Sequence, residues 1–161
     1  MKKNYILTFV FSLCISLFSF AQGLEDFTNC AATSSYSDGN FSGQNGITWS
    51  YVASRNANGD ANNSGINLPA LMLRRASSNS SVTSSAISGG IGDFSVKLYK
   101  GFTGSGSRQV ELFVNGVSQG LSTSFNDYNE HIFSVNSINI SGSVVIELRN
   151  VTSKQIIVDD I

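Results

Sequence analysis

The stretch FSVKLYKGFTGSGSRQVELFVNGVSQGL, residues 94–121, decides the fold class. Apolar and polar residues alternate along both of its halves, which is the pattern of strands with one buried face. Gly104-Ser105-Gly106 separates the halves. Asn115-Gly116 predicts a tight hairpin, because a type I′ turn needs a positive φ at both central residues. We therefore predict a three-stranded meander with strands over residues 94–102, 110–114 and 117–124.

The same short-strand pattern continues on both sides of this stretch. No segment after residue 21 sustains an apolar period of 3.6 residues, and Ser, Gly and Asn fill the intervals as turn residues. Further strands are predicted over residues 24–29, 47–53, 70–74, 81–87, 137–140, 144–149 and 154–161. Residues 37–40 (Ser-Asp-Gly-Asn) predict a turn, and residues 56–64 a long polar loop. The fold class is therefore all-β, a two-sheet antiparallel β-sandwich or jelly roll.

The N-terminus carries an export signal. Lys2 and Lys3 precede an apolar stretch over residues 5–20, and Ser19-Phe20-Ala21 supplies small residues for cleavage before Gln22. This apolar stretch of about 16 residues is shorter than the roughly 20 that a membrane-spanning helix needs. We expect residues 1–21 to be a signal peptide and residues 22–161 a single secreted or cell-surface domain. An alternative is that residues 22–161 form the N-terminal part of a longer protein.

Charge and cysteine content restrict the partners and the way the fold is held. Removal of Lys2 and Lys3 with the signal leaves eight basic residues against 11 acidic ones. Such a surface has no basic field for a nucleic-acid backbone, and no second apolar span follows the signal. Cys30 is the one cysteine left after cleavage, so no internal disulfide can form. We expect Cys30 to be a small buried residue, with pairing to another chain as the alternative.

Catalytic machinery is not visible in the sequence. His131 is the sole histidine, and no nucleophile elbow surrounds any serine. A zinc site built on one histidine and one cysteine is equally disfavoured. Glycoside hydrolysis needs two paired carboxylates, but no spacing selects a pair. The acidic residues in strand segments predict ordinary surface charge: Asp26, Asp93, Glu111 and Glu147. We therefore expect a domain that is not an enzyme.

Carboxylates near both ends of the domain suggest a structural calcium site. Glu25-Asp26 lies at the start, Asp159-Asp160 lies at the end, and the first and last strands of a closed sandwich commonly lie side by side. Neighbouring residues on a strand face opposite sides, so only one of each pair can converge. The predicted ligands are Glu25, Asp38 and Asp160, because calcium prefers oxygen ligands. The alternative is solvated charge at strand ends.

Aromatic and guanidinium groups suggest a ligand-binding surface. Trp49 and Tyr51 share one face of a strand, and Arg55 follows at its end. A flat aromatic ring suits sugar stacking, whereas a guanidinium suits phosphate or carboxylate. The candidate contact residues are Trp49, Tyr51, Arg55, Arg74, Arg75 and Arg108. The alternative reading places the lone tryptophan in the core of the sandwich.

Several segments together resemble a known module. Residues 35–41, 46–51, 70–74, 87–92, 108–116 and 157–161 carry this resemblance, which covers most of residues 24–161. The chain is similar to a β-sandwich accessory module of secreted Bacteroidetes proteins, and the Asp-Asp-Ile ending also resembles the last strand of jelly-roll carbohydrate-binding modules. The resemblance implies attachment to extracellular nucleases or other hydrolases, and it implies no catalytic residue.

Three functions follow as hypotheses. The first is a secreted non-catalytic binding or adhesion module for extracellular polysaccharide or another surface polymer. The second is an accessory N-terminal module of a secreted nuclease or other hydrolase, and the third is a structural cell-surface or matrix component. No cofactor is predicted other than the structural calcium.

Overall fold

The structure, a computed structural model, describes residues 23–57, 66 and 68–161. The predicted signal peptide lies outside these residues, as does most of the predicted loop over residues 56–64. The strands are β1 (Ser37–Ser42), β2 (Thr48–Asn56), β3 (Leu71–Leu73), β4 (Ser81–Ser84), β5 (Phe94–Lys100), β6 (Val110–Val114), β7 (Val117–Leu121), β8 (His131–Val135), β9 (Ile146–Asn150) and β10 (Ile156–Asp159). Short 3₁₀ turns occupy Gln44–Gly46 and Ala76–Ser78.

The strands follow the order β7-β6-β9-β4-β2-β3-β10-β5-β8, and β1 pairs with β2 outside this path. All pairs are antiparallel. The long strand β2 takes part in both layers, because Trp49–Val52 pair with β4 and Ser54–Asn56 pair with β3. Between these two halves, Ala53 has a φ of 45°. The path therefore folds at β2 into two layers, the cleft layer (β3, β10, β5, β8) and the hairpin layer (β4, β9, β6, β7).

One apolar core joins the two layers. Leu71, Val96 and Val158 of the cleft layer belong to the same buried cluster as Val82 and Leu148 of the hairpin layer. Each is at most 1% exposed. Burial of such a side chain contributes about 1.5–3 kcal/mol. Because the core draws on both layers, the sandwich predicted from the alternating pattern is confirmed.

A second apolar cluster covers the outer face of the cleft layer. Met72, Tyr99 and Ile157 point outward from neighbouring strands and are at most 5% exposed. Tyr36, Ile66 and Phe102 pack against them. Strands β3 and β10 are therefore buried on both faces, which explains their uninterrupted apolar runs.

The predicted hairpin is confirmed, and the predicted meander is wrong. Asn115 and Gly116 have φ values of 51° and 76°, as a type I′ turn requires. Strands β6 and β7 pair across this turn, but β6 takes β9 as its other neighbour, while β5 pairs with β10 and β8. The segment over residues 101–109 thus connects the two layers. Local periodicity located the strands but contained no information on which layer each one joins.

Four further predictions of local structure differ from the structure. The predicted turn over residues 37–40 lies in β1, where pairing with β2 overrides the local turn preference, and the register shift after Ser37 takes up the irregularity. Strand β8 was not predicted. Residues 24–29 and 137–140 lack strand structure; each has isolated backbone pairing, such as the bridge from Ile140 to Ile91.

The first and last described segments lie side by side, as predicted. Glu25 and Ile161 exchange two backbone hydrogen bonds of 2.8 and 3.0 Å. This pairing places Asp26 near the C-terminal end of β10. Within the described ranges, no helix is long and apolar enough to cross a membrane.

Candidate functional site

A cleft of about 240 Å³ lies against the cleft layer near the C-terminal end of β10. We call it the acidic cleft. Its lining residues are Asp26, Thr28, Pro69, Lys97, Tyr99, Glu130, Asp159 and Asp160. The strand register explains why these side chains meet, since Asp159 pairs with Lys97 across β10 and β5. Ile156 and Val158 point into the core, so Asp159 points outward by the two-residue period of a strand.

Asp159 is the least satisfied group in the cleft. The residue is only 7% exposed, and its Oδ1 has no hydrogen-bond partner. Burial, followed by the nearby charge of Asp160, raises the pKa of Asp159 to about 7. The cleft wall therefore contains a buried carboxyl group whose proton is lost near neutral pH and whose Oδ1 has no partner.

Lys97 holds two other carboxylates of the cleft together. Its Nζ lies 2.7 Å from Oδ2 of Asp160 and 3.9 Å from Oε2 of Glu130. The hydrogen bond from Lys97 to Asp160 raises the pKa of the lysine, so it remains an ammonium. One cation thus faces four carboxylates along the cleft wall.

Tyr99 and Asp26 are fixed by hydrogen bonds. The Tyr99 hydroxyl donates to Oε2 of Glu130, and burial together with this carboxylate raises the tyrosine's pKa. Oδ1 of Asp26 accepts from the backbone N–H of Thr28 and from Nε2 of Gln44, both at 3.0 Å. These donors, the Thr28 amide first, lower the pKa of Asp26, so its carboxylate stays charged. The cleft wall is therefore built from oriented polar groups.

The predicted aromatic platform lies in the core instead. Trp49 is 2% exposed and Tyr51 is 6% exposed, and both belong to the central cluster. Their strand is central, between β1 and β4, so the face that carries both rings is turned toward the other layer. The prediction that Trp49 and Tyr51 contact a polymer is wrong, and the alternative reading of a core tryptophan is correct.

Arg108 is buried as well, at 0% exposure. Its guanidinium donates to the carbonyl oxygens of Gly101 and Gly104 at 3.0 and 2.8 Å and to Oδ1 of Asn126 at 2.7 Å. Further bonds go to the carbonyls of Gly106 and Gln155. A guanidinium with five acceptors and no exposure cannot contact a polymer. Arg108 therefore organises the connection between β5 and β6.

Arg55 and Arg74 meet at an aromatic ring. Their guanidinium carbons lie 5.7 and 5.2 Å from the ring centroid of Tyr36, and Arg55 also lies 5.7 Å from that of Phe102. This arrangement places both guanidinium groups over aromatic rings that pack against the second apolar cluster. Arg75 is exposed and separate from the acidic cleft. Of the six predicted contact residues, only Arg55 and Arg74 are brought together, and both lie outside the cleft lining.

The predicted calcium ligands do not converge. The carboxylate of Glu25 accepts from the backbone N–H groups of Phe27 and Gln44 at 2.8 and 2.9 Å, and that of Asp38 accepts from Ala53 at 2.8 Å. Asp160 pairs with Lys97. In the described part of the chain, no three His, Cys, Asp or Glu side chains are arranged to hold a metal ion. These residues therefore do not fit the predicted calcium site.

His131 and Cys30 have structural surroundings. Nε2 of His131 lies 2.9 Å from Oδ1 of Asp127, and the imidazole stacks on Phe125 with ring centroids 4.0 Å apart. No hydroxyl or thiol of the described residues hydrogen-bonds to this imidazole. Cys30 is partly buried against the core, and burial raises the pKa of its thiol. Neither residue forms a nucleophile–base pair.

The residues of the acidic cleft were missed as a group. One signal was available, because the run Ile156-Ile157-Val158 predicts a strand that is buried on both faces. A carboxylate that continues such a strand is itself expected to be buried. The approach of Lys97 and Glu130 depends on β5 lying between β10 and β8, and no local pattern contains that neighbour relation.

Comparison with known proteins gives a likeness of fold. No protein-family model and no curated protein matches the chain. The CBM36-1 domain of a multidomain xylanase from the hindgut metagenome of Trinervitermes trinervoides is 15% identical, with a TM-score of 0.49 over 80% of this chain and 89% of that one. A CBM36 carbohydrate-binding module in complex with calcium and xylotriose is 15% identical, with a TM-score of 0.43 over 60% of this chain and 80% of that one.

A third likeness is to a larger enzyme. A family two carbohydrate esterase from Clostridium thermocellum, in complex with cellohexaose, is 16% identical, with a TM-score of 0.40 over 55% of this chain. The match covers 25% of the esterase chain, so this protein spans only about a quarter of its length. Similarity at 15–16% identity concerns the fold alone, so the function has to be argued from the residues of the site.

Proposed function

We propose that this domain is a secreted, non-catalytic binding module for extracellular polysaccharide, and that the acidic cleft is its binding site. The observation that supports the proposal is the buried Oδ1 of Asp159, which has no hydrogen-bond partner in a cleft lined by polar groups. A buried acceptor without a partner costs about 1–3 kcal/mol. A ligand that donates a hydrogen bond to this carboxylate offsets part of that cost.

The other groups of the cleft suit a polyhydroxylated ligand. A carboxylate accepts hydrogen bonds at both oxygens, so it can hold two neighbouring sugar hydroxyls. Asp26, Glu130 and Asp160 are acceptors of this kind, while Nζ of Lys97 is a donor with three protons. Because Asp26, Lys97 and Tyr99 already have fixed partners, their orientation costs little entropy on binding.

The experiment is a titration of the purified protein with soluble neutral oligosaccharides of several backbones, followed by isothermal calorimetry. We expect at least one to bind, and we expect Asp159→Ala to weaken it about tenfold or more, since it removes both oxygens from the cleft. Glu111→Ala is the matched control, because Glu111 lies on the outer face of the hairpin layer and should leave affinity unchanged.

Two outcomes contradict the proposal. Equal affinity of the wild type and the folded Asp159→Ala variant removes the cleft as the binding site. Release of reducing sugar during incubation contradicts the non-catalytic part of the proposal. The accessory-module hypothesis differs from this proposal only in that the domain is part of a larger secreted hydrolase. Coding sequence for a hydrolase in the same reading frame would support it.

A further inference from the structure

The charge of the acidic cleft is unbalanced. Four carboxylates line it, and Lys97 is the sole cationic side chain among the lining residues. The Lys97 ammonium contacts Asp160 and Glu130, whereas Asp26 and Asp159 form no ion pair within the described residues. Asp26 has two neutral donors, and Asp159 has an oxygen with none. The cleft therefore offers more negative charge than its own groups neutralise.

The orphaned oxygen of Asp159 is an independent sign that the cleft takes a ligand. Two other buried polar atoms lack partners among the described residues, Nε1 of Trp49 and Oδ1 of Asn56. Neither belongs to a residue that lines the cleft, and neither can carry a charge. Asp159 alone combines burial, an unpartnered oxygen and an ionisable group at the cleft wall.

The spacing of the carboxylates favours an organic ammonium over a bare metal ion. Calcium takes six to eight oxygen ligands at about 2.3–2.6 Å, which requires several of them to converge on one point. No three acidic side chains in the described ranges converge in this way. Lys97 shows what the spacing does accommodate, since its ammonium binds one carboxylate at 2.7 Å and approaches a second at 3.9 Å. A primary amine of a ligand needs no closed coordination shell.

From this geometry we infer that the acidic cleft selects a polysaccharide bearing protonated primary amines, an amino-sugar polymer with free rather than acetylated amino groups. The ligand's ammonium pairs with the Asp159 carboxylate, and the flanking hydroxyls bind the remaining carboxylates. The inference rests on the proposed function, because it names the class of polymer for the same site. The four carboxylates also repel anionic polymers, and this repulsion adds to the selectivity for a cationic polymer.

The test compares three probes by calorimetry near neutral pH: the linear hexamers of glucosamine, of N-acetylglucosamine and of glucose. For the wild type, we expect the glucosamine hexamer to bind about tenfold more tightly than either neutral hexamer, since a charged hydrogen bond is about twice as strong as a neutral one. We expect this preference to fall when NaCl is raised from about 50 to about 500 mM.

Two variants separate charge from hydrogen bonding. Asp159→Asn keeps the shape of the side chain and an acceptor but removes the charge, so the preference for glucosamine over the neutral hexamers should drop to about threefold or less. Asp159→Ala should weaken all three probes. Glu111→Gln on the hairpin layer is the control and should leave the preference intact.

The outcomes distinguish this inference from the proposed function. Equal binding of the charged and neutral hexamers overturns the inference and leaves the proposed function standing, whereas failure of every sugar to bind overturns both. A preference that persists in Asp159→Asn also overturns the inference. The last titration uses calcium chloride alone. A heat of binding in the wild type that is absent in Asp159→Asn would show that the cleft binds a metal ion, and it would overturn the inference.

Discussion

Arg108 and Asp159 are the central charges of two regions that are both buried and yet differ in one respect. Arg108 is 0% exposed and has five acceptors around its guanidinium. Asp159 is 7% exposed and has an oxygen with no partner. A buried charge with all its partners stabilises a conformation. A buried charge that lacks a partner costs free energy, and a ligand that pairs with it reduces that cost. The first region therefore has a structural role, and the second is the binding site that we propose.

The largest expected effect comes from breaking the Arg108 region. Arg108→Met should lower the free energy of unfolding by about 3 kcal/mol or more, because it leaves several buried carbonyl groups without donors. Urea unfolding followed by tryptophan fluorescence measures the change. Arg75→Met is the matched control, since Arg75 is exposed, and its effect should stay within about 0.5 kcal/mol. A loss below about 1 kcal/mol for Arg108→Met would contradict the structural role.

The next effect concerns the pH dependence of stability at Asp159. Its pKa is raised to about 7 from the ordinary 3.8, so the folded state holds this proton over a range in which the unfolded state has released it. This group's contribution to stability is therefore greatest near pH 4 and is lost as the pH rises through 7. Relative to Asp159→Asn, the wild type should lose on the order of 3 kcal/mol between about pH 4 and about pH 8.

Urea unfolding at several pH values measures this difference between the wild type and Asp159→Asn. Glu111→Gln serves as the control, because it removes a carboxylate on the other layer that contacts Ser118, and a change common to both variants is then not specific to Asp159. Parallel curves for Asp159→Asn and the wild type would show that Asp159 has partners in solution, and the contrast with Arg108 would then disappear.

A smaller effect should arise where the two regions are linked. Asn126 receives a bond from Arg108 at its Oδ1 and one from Lys100 at its carbonyl oxygen, and the segment that it begins ends at Glu130 in the cleft. Asn126→Ala removes only the first bond, so it should cost about 1 kcal/mol of unfolding free energy. If the segment positions Glu130, the affinity for oligosaccharide should also fall slightly, by about threefold. Asn129→Ala, in the same segment, is the control. A stability loss without any change in affinity would show that the regions are independent.

The contrast between Arg108 and Asp159 also shows what the sequence could predict. Alternation along residues 94–121 predicted the strands, and Asn115-Gly116 predicted the hairpin, because both signals are local. Arg108 was predicted to contact a ligand because a guanidinium suits phosphate or carboxylate. Its burial depends on carbonyls of residues 101, 104 and 155, which are brought together by the crossing between layers. Such long-range arrangements leave no trace in a local pattern.

The acidic cleft was beyond prediction for the same reason. Asp160 was predicted to be a calcium ligand because the first and last strands lie side by side, and that neighbour relation is confirmed. The apolar run of residues 156–158 was a signal for the burial of Asp159, but the sequence could not show that Lys97 takes Asp160 as its partner. The outcome depends on one residue of strand register, which decides the face that each side chain occupies.

The smallest expected effect is that of a chelator on stability. Glu25, Asp38 and Asp160 each have protein partners, so removal of divalent cations should leave the melting temperature of the protein unchanged. Calorimetric scans with EDTA, with calcium chloride and with neither measure this. A calcium ion bound at 100 times its dissociation constant would add about 2.7 kcal/mol, which is easily seen as a rise in melting temperature. Such a rise in the wild type that is absent in Asp159→Asn would mean that the cleft closes around a metal. The two buried charges would then resemble each other, since Asp159 would gain the partner that separates it from Arg108.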